Sequence, residues 1–280
     1  MNHNQSETIL ITGASRGIGK ATAELLAEQG YKIIAAARSE LQLNALCQSL
    51  RSAGFDASYR LLDMSQTDSI EGCIASLENE KIKIDHLVLN AGYSSGEPAL
   101  ELDEAKRRHE FDVNYHGPIQ LIKGLLPILQ KNSGFSITVV SSVSAKIPFP
   151  GNSNYAASKA AFLHALRSIK IEERNLSKHL RLVIPGLTKT SMSEEFQAPW
   201  LPASSPDTIA QAIYSCIRWN NRVAIPGLHN RALLALDRLS PTIIDTLVAL
   251  MSRKPVESDL AQSDSEQSLP RRILRFRFGS

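Results

Sequence analysis

Six short runs of aliphatic and β-branched residues recur along the first two-thirds of the chain, each followed by a stretch with helical spacing, and this alternation most narrows the folds open to it. The runs are Thr8–Thr12, Lys32–Ala37, Ala57–Leu62, His86–Leu89, Ser136–Val140 and Leu180–Ile184. They are near-continuously apolar rather than apolar at every second position, so both faces of each strand must be covered. Between them, helices are expected up to about Gln29 (Ile18, Ala21, Leu25 and Leu26 share a face), after a cap near Ser39, from Thr67 to Asn79, near 101–131 and over 154–176. Strands alternating with helices predict an α/β fold: a parallel sheet with helices on both faces. Arg222–Ile225 would add a seventh strand, after a helix that opens at Pro206 with Ser205 as its cap. No internal linker is evident, so residues 1–228 read as one domain.

Beyond it, Arg231–Leu239 and Pro241–Arg253 read as two apolar helices, a C-terminal helical extension over 229–254. Ile243, Ile244, Leu247, Val248 and Met251 give the second an apolar stripe. The extension has four open readings: a cap on a substrate cleft, a subunit contact, packing on its own domain, or contact with a membrane surface. The composition of 255–270, polar and acidic, predicts disorder. Residues 271–278 carry four arginines among Ile, Leu and two Phe, a pattern compatible with anionic lipid.

Charge and cysteine usage exclude other classes. Thirty-one basic residues nearly balance twenty-eight acidic ones and are scattered, so no nucleic-acid partner is expected. Cys47, Cys73 and Cys216 form neither a CxxC nor a Cys/His cluster, which argues for reduced thiols and no metal. Residues 1–7 lack the basic and apolar regions of a secretory signal, and no run reaches the roughly 18 apolar residues of a membrane span. The expectation is a cytoplasmic protein.

Gly13-Ala14-Ser15-Arg16-Gly17-Ile18-Gly19 lies between the first strand and the first helix. A phosphate there would meet free backbone N–H groups and the positive end of the helix dipole. Glycine suits the position because a Cβ would keep the chain from a pyrophosphate. The spacing is GxxxGxG rather than the general GxGxxG. At the end of the second strand, where a carboxylate would accept from an adenosine 2′-hydroxyl, the chain has Ala35-Ala36-Ala37-Arg38. Arg38 and Arg16 suit a 2′-phosphate through charge-assisted bonds, so the cofactor expected is NADP(H).

Tyr155 and Lys159 stand four apart, one helical turn, on the helix that follows the strand ending at Ser141-Ser142. A neighbouring ammonium favours the phenolate and is expected to lower the phenol's pKa from about 10. Such a phenol exchanges a proton with substrate, while a serine hydroxyl holds the substrate oxygen.

Taken in order, these motifs resemble the short-chain dehydrogenase/reductase family. The matches are Thr12-Gly13 through Gly19, Asp63, Asn90-Ala91-Gly92, Asn114, Ser142, Tyr155 through Lys159, and Pro185-Gly186, spread over about residues 6–228. The resemblance implies a single Rossmann-type doubly wound sheet, and a hydride transferred between the nicotinamide and a carbonyl or secondary alcohol. It implies that Tyr155 is the proton donor in reduction, with Lys159 lowering its pKa and binding the nicotinamide ribose. Ser142 would orient the carbonyl, and Asn114 would hold a water in the relay. Asp63 would contact the adenine, Asn90 the ribose and Thr190 the carboxamide, with Thr188 as a competitor for that last contact. Ser142 rather than Ser141 is assigned because the family's serine precedes its tyrosine by thirteen residues. The sequence departs from the family at Leu89, where Asn is familiar, and at Ala145, often Gly.

Met192, Phe196, Trp200 and Leu201 follow Pro185-Gly186 and suggest an apolar substrate pocket. Reduction of a 3-oxoacyl thioester is one narrower alternative; a non-catalytic NADP(H)-binding sensor is another, of a different class. By likeness the protein is expected to form a homodimer or homotetramer.

Overall fold

A computed structural model describes residues 6–98, 100–193 and 202–252. Seven strands form one sheet: β1 (Thr8–Thr12), β2 (Lys32–Ala37), β3 (Ala57–Leu61), β4 (His86–Leu89), β5 (Ser136–Val140), β6 (Leu180–Val183) and β7 (Val223–Ala224). Their spatial order is β3-β2-β1-β4-β5-β6-β7, every pair parallel. The helices are α1 (Gly17–Glu28), α2 (Glu40–Ser52), α3 (Thr67–Asn79), α4 (Glu104–Phe111), α5 (Gly117–Leu129), α6 (Ser153–Glu172), α7 (Arg174–Ser177), α8 (Pro206–Arg218), α9 (Leu228–Leu239) and α10 (Pro241–Met251). This is the doubly wound α/β sheet that the strand and helix pattern predicts.

Continuous apolarity in the strands feeds two cores. Ile9 and Ile11 face one side, with Ala23 and Leu26 of α1, Leu43 and Leu46 of α2 and Ile209 and Ile213 of α8. Leu10, between them, faces the other side, with Leu77 of α3, Leu121 and Leu125 of α5 and Phe162 of α6. The chain reverses its direction of winding between β1 and β4, which pair directly through Ile11 and Val88. In open parallel sheets a crevice opens beyond the carboxyl ends of the strands at such a switch point. The segments after Thr12 and Leu89 therefore converge.

The structure differs from the sequence reading in four places. The long helix near 101–131 is two helices joined by a π-helical turn, Asp112–His116; there Gly117 packs so close to β3's following loop that a Cβ would sit 2.1 Å from the Met64 carbonyl oxygen. β7 has two residues rather than four. The helix ending near 176 breaks into α6 and α7. α9 starts at Leu228, not Arg231, with Gly227 at φ 85° before it. α9 and α10 pack on the domain through a third apolar cluster: Ile244 and Val248 meet Val143, Ile147, Phe149 and Ile184, with Leu233 and Leu236 alongside. α10 also turns Ile243, Leu247, Leu250 and Met251 outward. No helix among the described residues is long and apolar enough to cross a membrane. The tail 255–280 and the lid residues Phe196, Trp200 and Leu201 lie outside the described residues.

Candidate active site

A cavity of about 460 Å³ lies at the switch point. One end is the glycine loop. Gly13 and Gly17 adopt φ of 67° and 55°, which favours glycine, and Gly19 lets α1 approach the loop. β4 braces that loop from behind: Thr12 Oγ1 accepts from the N–H groups of Asn90 and Ala91, both at 3.0 Å, and Asn90 Nδ2 donates to the carbonyls of Thr12 (3.1 Å) and Gly13 (3.3 Å). The Asn90 amide, expected at a ribose, thus spends its donors on shaping the loop. Ser15, Arg16, Gly17 and Ile18 line the cavity beside Arg38, Ser39 and Gln42. Asp63 is also on its wall, with Oδ1 accepting from Ser65 N (2.9 Å) and Oγ (2.7 Å). These donors are the kind a dinucleotide needs: a helix N-terminus for the pyrophosphate and, on the same cavity wall, the guanidinium groups of Arg38 at the second strand's end and of Arg16 in the glycine loop.

At the other end, Ser142, Tyr155 and Lys159 share the same wall. Ser142 caps a short 3-10 turn, Val143–Ala145, accepting from Ser144 N at 3.1 Å, and its hydroxyl hydrogen-bonds the Tyr155 phenol. Ser141 is buried, and its Oγ has no hydrogen-bond partner among the described residues. Lys159 Nζ is 5.7 Å from the centre of the Tyr155 ring. It reaches the cavity past Gly92, where a Cβ would lie 3.2 Å from Nζ and 3.3 Å from Asn114 Oδ1. Asn114 sits behind the wall, buried in the π-helical turn. Its Oδ1 accepts from Tyr93 N (3.0 Å) and its Nδ2 donates to Tyr93 O (2.8 Å) and Ser158 Oγ (3.0 Å).

The electrostatics overturn one expectation. Burial is the largest influence on Tyr155 and pushes its phenol up to about 12, opposed by the Ser142 bond and reinforced by the Glu110 charge. Burial also pushes the Lys159 ammonium down to about 8 from 10.5. The sequence suggests lysine lowering tyrosine; the fold makes both prefer their neutral forms, because both are enclosed. Lys159 therefore stores a stability cost. Below pH 8 the folded protein carries a buried ammonium; between about 8 and 10.5 only the unfolded chain holds that proton, so stability gains as pH rises through this window. Lys159→Met is expected to stabilise the fold at pH 7 by on the order of 3 kcal/mol at most. That gain should vanish above pH 10.5, and urea unfolding at the two pH values measures it.

The segment after β6 closes the cavity. Pro185 O accepts from Val143 N at 2.8 Å, and Thr190 Cγ2 would lie 3.2 Å from a Cβ on Gly17, so this segment touches the glycine loop. Thr188 is buried and donates to Gly186 O at 3.1 Å, and Thr190 lines the cavity. Of the catalytic and cofactor-binding residues expected from the sequence, Gly19 and Asn114 stand just behind the cavity and the others line it, as does Met192 of the expected substrate pocket. Sequence reasoning missed Asn230 and Leu233 of α9, which enter the wall beside Gly186. A Cβ at Gly186 would meet Asn230 Oδ1 at 2.2 Å. Only the close approach at Gly186 signals this contact, and it is invisible without the fold.

The chain matches the short chain dehydrogenase family over residues 7–199. Dehydrogenase/reductase SDR family member 7B of Xenopus tropicalis is 27% identical over 268 residues, covering 89% of this chain and 87% of that protein. The alcohol dehydrogenase of the archaeon Thermococcus sibiricus, solved in complex with 5-hydroxy-NADP, superimposes with a TM-score of 0.69 at 28% identity, over 79% of this chain and 95% of its own. A short-chain dehydrogenase of Sphingobium yanoikuyae in complex with NADPH gives a TM-score of 0.72 at 24% identity, over 90% and 98%.

Proposed function

The chain belongs to the short-chain dehydrogenase/reductase family of oxidoreductases, and we propose that it is an NADP(H)-dependent enzyme that interconverts an apolar carbonyl compound and its secondary alcohol. The observation that carries this reading is that one cavity joins a phosphate-type glycine loop to Ser142, Tyr155 and Lys159. NADP(H), when bound, supplies or accepts the hydride. Tyr155 gives its proton to the carbonyl oxygen in reduction and takes it back in oxidation, and Ser142 holds that oxygen. Lys159 binds the ribose and, while protonated, offsets the cost of phenolate; Asn114 holds a water behind it. Gly13, Ser15, Gly17, Ile18 and Gly19 seat the pyrophosphate. Asp63, Asn90, Ala91, Gly92, Pro185, Gly186 and Thr190 enclose the rest. Val143, Phe149, Met192 and Leu233 line the cavity and favour an apolar substrate. The protein is read as a cytoplasmic homo-oligomer, which sedimentation at two protein concentrations tests.

Loss of reduced-nicotinamide absorbance with NADPH and a panel of ketones, aldehydes and 3-oxoacyl thioesters tests the activity. Tight NADPH binding without turnover across the panel would instead favour a sensor. For the cofactor, Arg38→Ala is expected to weaken NADPH binding about 10- to 100-fold, the value of a charge-assisted bond, and to leave NADH binding within about twofold. An equal loss for both cofactors, read by fluorescence titration, would remove Arg38 from the 2′-phosphate.

A further inference from the structure

The loop after β4 forms part of the cavity wall through Tyr93, Ser94 and Gly96, and three successive residues of it are tied to different elements. Tyr93 exchanges bonds with the Asn114 side chain, and Ser94 Oγ donates to Asn152 Oδ1 at 2.9 Å. Ser95 donates twice to Glu110 Oε1, from N at 2.6 Å and from Oγ at 2.9 Å. The second oxygen, Oε2, accepts from Asn154 Nδ2 at 2.5 Å. Asn154 is in the first turn of α6, one residue before Tyr155.

Glu110 is 1% exposed, at the end of α4, and no cation among the described residues pairs with it. Three donors converge on its two oxygens, a set that suits an acceptor-only carboxylate. Burying a charge this way is expensive, and an apolar side chain would fill the position at lower cost.

We propose that Glu110 is a positioning residue of the reaction site: its buried carboxylate locks the cavity loop 93–96 to the first turn of α6, so that the substrate wall and Tyr155 move as one unit. The proposal rests on the reading of Tyr155 as proton donor. The same charge acts on the phenol and raises its pKa, so the clasp also helps Tyr155 keep the proton it delivers. Lys159, on the same helix, has its Nζ 5.7 Å from the centre of the Tyr155 ring, and on the loop side His109 of α4 stacks edge-on against Tyr93 at 4.8 Å.

The test is Glu110→Gln in the full chain, beside Ser95→Ala and Tyr155→Phe. With NADPH and the best carbonyl substrate of the panel, Glu110→Gln is expected to raise KM about tenfold through misplacement of the loop, leaving NADPH affinity unchanged. It is also expected to move the alkaline midpoint of the reduction rate to lower pH, a shift that loss of packing alone would not produce. Ser95→Ala is expected to raise KM without moving the midpoint, because the charge remains. Hydrogen exchange of the NADPH-free protein gives a second readout: in Glu110→Gln the amides of 93–97 and of the first turn of α6 should exchange faster together, with α1 unchanged. If Tyr155→Phe abolishes turnover but Glu110→Gln moves neither KM, midpoint nor exchange, the inference fails. If Tyr155→Phe turns over like the wild type, the reading of Tyr155 fails instead, and the exchange result alone then decides whether the clasp exists.

Discussion

Tyr155→Phe is expected to lower kcat by about 10³-fold, within the range a positioned proton donor contributes, while NADPH binds as before. The substitution removes one oxygen and keeps the ring that fills the space beside Lys159. Ser142 then loses its phenol partner but stays placed by Ser144 N, so the substrate oxygen can still be held and only the proton is missing. The pH dependence follows from the raised phenol. Because burial pushes Tyr155 up to about 12, it holds its proton across neutral pH and is ready to act as an acid. Oxidation needs the phenolate, so its rate should climb about tenfold per pH unit through the neutral range. Reduction should stay flat there and fall only in alkali. A flat profile for oxidation, with turnover intact in Tyr155→Phe, would assign the proton to another group.

Much of this is legible in the sequence because it is local. A strand, a glycine loop and a helix occupy 22 consecutive positions from Thr8 to Gln29, and the glycines stand where the chain must turn and approach closely. Tyr155 and Lys159 meet because a helix has a fixed pitch. What was hidden depends on contacts between distant segments. The π-helical turn that buries Asn114 arises where Gly117 meets the chain after β3. The contribution of α9 depends on Asn230 lying against Gly186, 44 positions earlier. The spacing predicts a phenol lowered by its neighbour's charge; enclosure by the surrounding elements raises it instead, and no spacing rule reveals enclosure. Glu110 reads as one more charged residue on a helix whose neighbours, Arg107 and Arg108, pair outward with Glu104. Its burial is a property of the loop that folds over it.

Gly19→Ala is expected to reduce NADPH affinity more than any single loss of a cofactor-facing side chain, even though Gly19 itself does not line the cavity. An added Cβ would stand 2.2 Å from the Gly13 carbonyl oxygen and 2.7 Å from Asn90 Nδ2. The first contact is backbone and cannot rotate away, so α1 and the loop must part by about an ångström, and the amides aimed at the pyrophosphate part with them. A loss of at least about 100-fold in affinity is expected from misplacement on that scale, with about 1–3 kcal/mol of stability lost to overpacking. Two other glycines separate the causes. Gly72, exposed in α3 with open space around it, should become slightly more stable as alanine, by about 0.5–1 kcal/mol, with binding unchanged. Gly30 also has open space but a φ of 88°, so alanine there should cost about 1–3 kcal/mol through backbone strain and again spare binding. Affinity lost in Gly19→Ala alone would locate the cofactor's phosphates at the start of α1, whereas equal losses in Gly19→Ala and Gly30→Ala would trace the effect to general destabilisation and leave that seat without support.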